Sequence, residues 1–111
     1  MAFEVFKNDS GKFYFNLKAS NGQVILSSQG YAAKSGATNG VQSVINHAAN
    51  DANFERKESK DGRVFFTLKA SNGQIIGKSQ MYKAATGMEN GIASVKKNAT
   101  SDAAVNDLTA G

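Results

Sequence analysis

A single histidine, no cysteine and nine carboxylates leave little from which to assemble an active centre. His47 stands near the end of an apolar-periodic segment, where a charged imidazole would complement a helix dipole. No nucleophile, base and orienting group cluster around it in sequence, so the triad logic of acyl transfer has no candidate. One histidine without thiolates or spaced carboxylates does not build a zinc site. The acidic residues are few and mostly stand beside lysines, unlike the opposed pair a glycoside hydrolase needs. The glycines fall in turns and mid-helix rather than in a phosphate-cradling loop. The expectation is a protein that is not an enzyme and needs no metal or cofactor.

Binding chemistry has more to draw on. Gln29-x-Tyr31 and Gln80-x-Tyr82 stand where extended segments give way to helical ones, and these four residues are the candidate ligand site. A tyrosine there combines an apolar ring with a hydroxyl that seeks a partner. Asn39 with Ser43, and Asn90 with Ser94, lie one turn apart on a polar helical strip, with solvated helix face as the bland reading. Gly40 and Gly91 interrupt the same helices, although a mid-helix glycine costs about 1 kcal/mol against alanine. Either a close steric approach or a ligand explains them. Nucleic acid is the alternative. The second half carries nine of the thirteen cations, Arg63, Lys69 and Lys78 among them. Strand alternation places Tyr14, Lys18, Phe65 and Lys69 on one face, and aromatics interleaved with cations on an open sheet can stack bases. If helices cover that face, those aromatics are core instead.

These residues are positioned by a unit written twice. At an offset of 51 the halves align without a gap from Phe3/Phe54 to Asn50/Ser101, and about 22 of 48 pairs are identical. Leu17-Lys18-Ala19-Ser20-Asn21-Gly22-Gln23 returns intact as Leu68-Lys69-Ala70-Ser71-Asn72-Gly73-Gln74. Each copy opens with a short charged strand and a glycine turn. Alternation then follows in Phe13, Phe15, Leu17 and in Val64, Phe66, Leu68, the period of a half-buried strand. Asn21-Gly22 and Asn72-Gly73 predict two-residue type I′ hairpins, with positive φ at both central residues. Third strands run over 23–28 and 74–79. The period then changes to that of a helix, with Ala37, Val41, Val44, Ile45 and Ala48 on one face and Met88, Ile92, Val95 and Ala99 on the other copy's. Thr86 and Glu89 fit a capping box. Val105 and Leu108 permit a short last strand in an otherwise polar tail.

The paired motifs L-K-A-S-N-G-Q-[VI]-I, S-Q-x-Y and N-G-[VI]-x-S-V resemble those of the YegP-like family of small bacterial proteins, over nearly the whole chain. The resemblance implies β3-α-β units joined in one antiparallel sheet with exchanged C-terminal strands. It implies no activity and no site residues.

The expected fold is α+β: two tandem β-β-β-α repeats sharing one antiparallel sheet of six or more strands, with both helices on one face. At 111 residues this is one domain, repeat 1 over 3–50, repeat 2 over 54–101 and a short tail over 102–111. Each half alone is too small to bury its apolar face well. The net charge of +4 falls short of a dedicated nucleic-acid binder. No apolar run marks a signal peptide or membrane span, so a cytoplasmic, monomeric protein is expected. The function expected is a non-enzymatic binding module for a protein or small ligand.

Overall fold

The computed structural model describes residues 2–19 and 21–109. The elements are β1 (Ala2–Lys7), β2 (Phe13–Lys18), β3 (Val24–Ser27), α1 (Lys34–His47), a 3-10 turn (Asp51–Asn53), β4 (Phe54–Glu58), β5 (Val64–Lys69), β6 (Ile75–Lys78), α2 (Ala85–Asn98) and β7 (Ala104–Asp107). The strands form one seven-stranded sheet in the order β4-β5-β6-β3-β2-β1-β7. All neighbours are antiparallel except β1 and β7, which run parallel. The last strand of the second copy thus closes the edge of the first copy, and the tail carries a strand.

The two halves meet at β3 and β6, whose register contains one pair, Ser27 with Lys78. Those residues are each other's counterparts at the offset of 51, so a pseudo-twofold axis passes between them. One ladder pair is a weak join. The helices supply the rest: α1 packs on β1 and β2 and across the axis on β5 and β6, while α2 packs on β5 and across the axis on β2 and β3. Phe3, Phe15, Leu17 and Leu26 of one half and Phe54, Phe66 and Leu68 of the other are buried with Val44, Ile92 and Val95 in one cluster. Alternation therefore puts Phe15 and Phe66 under the helices, and leaves Tyr14, Lys18, Phe65 and Lys69 on the uncovered face.

Three details depart from expectation for physical reasons. Among the described residues only glycines have positive φ, so Asn-Gly does not form a type I′ turn. Ala70 N–H bonds to Gln74 O and Gly73 N–H to Ala70 O, both at 2.9 Å, and Gly73 has φ of +85°. That is a three-residue loop with a left-handed glycine, and the same bonds join Ala19, Gly22 and Gln23. The capping box is absent as well. The N-cap of α2 is Ala84 without a side-chain cap, and Glu89 instead binds Arg56 at 2.6 Å. Finally, the copies differ at their edges. Val5 is fully buried where β7 covers β1, whereas its counterpart Arg56 stands on the open edge strand β4. A charged edge strand resists pairing with another chain.

Arg56 also anchors the connection between the copies. Asp51 accepts from Lys96 at 2.6 Å and from Arg56 at 3.1 Å, and these cations hold its carboxyl at about 2. Its folded-state value is depressed, so this contribution is present at neutral pH and is lost as acidification protonates Asp51.

Because each helix packs across the axis, cutting the chain near Asp51 should leave each half unfolded or dimeric. Size-exclusion chromatography with circular dichroism on the separate halves tests this, and two folded monomers would refute the shared core.

Candidate functional site

Each helix carries a groove that receives a tyrosine. Tyr31 is fixed by paired backbone bonds with Phe13, both 2.8 Å, and Tyr82 by bonds with Val64 of 2.9 and 2.7 Å. The Tyr31 side chain lies against Gly36 and Gly40, one turn apart on α1. A Cβ at Gly36 would meet Tyr31 Cδ1 at 2.9 Å, and one at Gly40 would meet Phe15 Cε2 at 2.6 Å and the Tyr31 hydroxyl at 2.9 Å. Tyr82 lies in the same way against Gly87 and Gly91, stacked on Phe66 with centroids 6.4 Å apart. The mid-helix glycines are thus required by close packing of helix on sheet. Gly36 and Gly87 complete the pattern, and the sign of them was the repeated Gly-x-x-x-Gly spacing. Burial raises the Tyr31 hydroxyl above its usual value, and a polar contact with the Gln29 side chain offsets part of that.

Beside the Tyr82 seat is a cleft of about 300 Å³. It opens where the β2–β3 loop of the first copy meets the flank of α2 in the second. Asn21 and Gln23 come from the loop, Gln80 and Tyr82 from the approach to the helix, and Asn90 and Ser94 from the helix itself. Gly87 and Gly91 also line it. Within the loop, Asn21 Oδ1 accepts from the Gln23 N–H at 3.0 Å. Ser94 is held from below by Asn98 Nδ2, at 2.8 Å from its carbonyl and 3.1 Å from its hydroxyl. Gln80 and Asn90 are exposed, and their side chains make no hydrogen bond to a described residue. Four carboxamides and two hydroxyls offer donors and acceptors without a formal charge.

The sequence candidates are distributed unevenly. Gln80 and Tyr82 share the cleft, whereas Gln29 borders a different hollow of about 200 Å³ with Ser27, Ile75 and Lys78. Tyr31 lines neither of these. Single-residue reading missed Asn21, Gln23, Asn90 and Ser94 as partners of Gln80, because they converge only through contact between opposite copies. His47 has a structural role: its Nδ1 lies 2.7 Å from Ser43 O, so Nδ1 is the donor and Nε2 accepts the Ser71 N–H at 3.3 Å.

Of the cationic candidates, Lys69 and Lys78 stand on the uncovered face of the neighbouring strands β5 and β6, whereas Arg63 lies in the turn before β5. Arg63 is tied to Asp61 in its own turn at 2.7 Å, where the Ser59 hydroxyl and then the Arg63 backbone and guanidinium hold the Asp61 carboxyl at about 2. Lys69, at the far end of β5, pairs with Glu55 at 3.0 Å. Lys78 lies 4.9 Å from the Phe65 ring centroid on the uncovered face. Phe6 and Tyr14 stack on the same face, 5.7 Å apart.

A chain built this way is a tandem duplication of one strand-rich α+β unit, closed by its own last strand. A family model described as a domain of unknown function (DUF1508) matches residues 8–55 and 59–106, and the chain belongs to that family. The two matches are offset by 51 residues, the spacing of the internal repeat, and each begins just after the first strand of its copy. Similar proteins include the UPF0339 protein YegP of Yersinia pestis, 45% identical over 96% of this chain and 95% of the relative. The UPF0339 protein YegP of Escherichia coli (strain K12) is 46% identical over 89% of this chain and 90% of its own. The solution NMR structure of yegP from E. coli superposes with a TM-score of 0.92 at 43% identity, covering 99% of this chain and 94% of that one. UPF0339 protein SO3888 from Shewanella oneidensis gives a TM-score of 0.91 at 42% identity, over 97% and 91%. No helix among the described residues is long and apolar enough to cross a membrane.

The tyrosine seat makes a direct prediction. Gly40→Ala should destabilise the protein by about 1–3 kcal/mol, the cost of overpacking, instead of adding helix propensity. Urea unfolding measures it, and a stabilised variant would show that the helix stands off the sheet.

Proposed function

We propose that this protein is a non-enzymatic binding module whose ligand is a small, uncharged molecule rich in hydroxyl or amide groups, held in the cleft between copies. One observation carries the reading. All ten residues lining the cleft are identical to their counterparts 51 positions away, although fewer than half of all paired positions are. Core packing explains other identities, such as Phe15/Phe66 and Leu17/Leu68, and turn geometry explains Gly22/Gly73. It does not explain Gln80 or Asn90, which are exposed and bonded to nothing described. Exposed polar side chains kept where folding does not need them point to recognition. The cleft volume is at the small end of ligand sites, suited to a ligand the size of one sugar ring. The neutral lining favours a neutral ligand, since an ion would lose its hydration without a counter-charge.

The alternative, nucleic-acid binding through Arg63, Lys69 and Lys78, draws its support from the uncovered face, where Phe65 with Lys78 and the Phe6–Tyr14 stack leave rings and cations together. Two features weigh against it. Lys18 and Lys69 are paired with Glu4 and Glu55 at 3.1 and 3.0 Å. The remaining residues of that face differ between copies, as in Phe6/Lys57, Asn16/Thr67 and Ser27/Lys78.

An amide-resolved NMR titration separates the readings. N-acetylglucosamine, which carries hydroxyls and an amide, should shift Asn21, Gln23, Gln80 and Asn90, and Asn90→Ala should weaken binding about tenfold, the equivalent of one or two lost hydrogen bonds. Mixed-sequence single-stranded DNA should leave those residues unmoved. Shifts around Phe65, Lys69 and Lys78 that vanish with added salt would favour the nucleic-acid reading instead.

A further inference from the structure

We infer that the chain holds two sites for the same uncharged ligand, related by the pseudo-twofold axis, of which the cleft at α2 is one. The inference rests on the reading of that cleft as a ligand site. The second site is formed by Asn72 and Gln74 of the β5–β6 loop together with Gln29, Tyr31, Asn39 and Ser43 on the approach to α1 and on α1 itself.

The loop of the first cleft belongs to the first copy and its helix to the second. A protein using that cleft alone would need Asn21 and Gln23, but not Asn72 and Gln74. It would need Gln80, Asn90 and Ser94, but not Gln29, Asn39 and Ser43. Of the unused residues, Asn39 and Gln74 have side chains that bond to no described residue, and they would be free to change, as the uncovered face has changed at Phe6/Lys57 and Ser27/Lys78. They have not changed at any lining position. Asn39, like Asn90, is an exposed helical residue whose side chain bonds to no described residue, so helix formation does not account for it.

The local geometry is repeated as well. Asn72 Oδ1 accepts from the Gln74 N–H at 3.0 Å, the bond that stiffens the first loop through Asn21. Tyr31 occupies the Gly36–Gly40 groove as Tyr82 occupies Gly87–Gly91. The second loop is also seen to reach α1, since the Ser71 N–H donates to His47 Nε2 at 3.3 Å. Gln29 faces both ways, touching Tyr31 and bordering the hollow at the axis. The second site is not a perfect copy. A Cβ at Gly36 would meet Tyr31 at 2.9 Å against 3.3 Å for Gly87 and Tyr82, whereas one at Gly91 would come closer to the Tyr82 hydroxyl than one at Gly40 to that of Tyr31, so the two rings are tilted differently in their grooves.

The test is the N-acetylglucosamine titration of the full chain, followed residue by residue, on the wild type, Asn39→Ala and Asn90→Ala. Both substitutions remove an exposed side chain and favour the helix, so folding is retained. In the wild type, Gln29, Asn39, Asn72 and Gln74 should shift as well as Gln80, Asn90, Asn21 and Gln23. Asn39→Ala should weaken binding about tenfold as read from the first group alone, and Asn90→Ala as read from the second alone, with the other site keeping its wild-type affinity in each. Shifts confined to the α2 cleft would overturn the two-site inference and leave the cleft reading standing. No shifts in either group would overturn both.

Discussion

The structure depends on a shortage of hydrogen bonds at its centre. Where β3 and β6 meet, the register contains one residue pair, and it lies on the pseudo-twofold axis. A sheet joined so thinly would hinge there if nothing spanned it. The two helices do, each packing on strands of both copies, and the apolar residues beneath them form one cluster. Close approach of helix to sheet is what allows so small a protein to bury that cluster. The Gly-x-x-x-Gly grooves make the approach possible by giving the tyrosine rings somewhere to lie. Glycine's cost in helix propensity is offset by the packing it permits.

The cleft is a consequence of the same arrangement. A helix that crosses the axis brings its flank beside the other copy's β-hairpin loop. The site is therefore composite, with polar groups from both copies that are distant in sequence. Its framework comes from folding: the Asn21 bond to Gln23, the Asn98 bonds to Ser94 and the backbone pairing of Tyr82. Its free parts are the exposed carboxamides of Gln80 and Asn90. A preformed, rigid frame carrying a few unsatisfied polar groups is the ordinary construction of a small-ligand site.

Much of the fold was legible because period and repetition are local signals. The alternation of Phe13, Phe15 and Leu17, the helical stripe through Val41 and Val44, and the offset of 51 all survive in the structure. What was not legible depends on partners distant in sequence. Val105 lies beside Phe3 in a parallel pair that no local pattern announces. Glu89 satisfies a capping pattern with Thr86, yet an arginine 33 residues away outcompetes the cap. Asn-Gly suggests a two-residue turn, but the closing bonds fall one residue further out and leave only the glycine left-handed. At the site, Gln80 and Tyr82 could be singled out from their repetition. Their company with Asn21 and Gln23 could not, because it arises across the axis.

The central claim is that the cleft's exposed carboxamides are kept for recognition rather than for folding. The most direct measurement is the unfolding free energy, by urea titration, of a Gln80→Ala, Asn90→Ala double variant. The account predicts a value within about 0.5 kcal/mol of the wild type, as for surface side chains that hold nothing together. A loss of about 2 kcal/mol or more, the size expected when a structural bond or cap is removed, would contradict it and make the identity of these residues between copies a requirement of the fold.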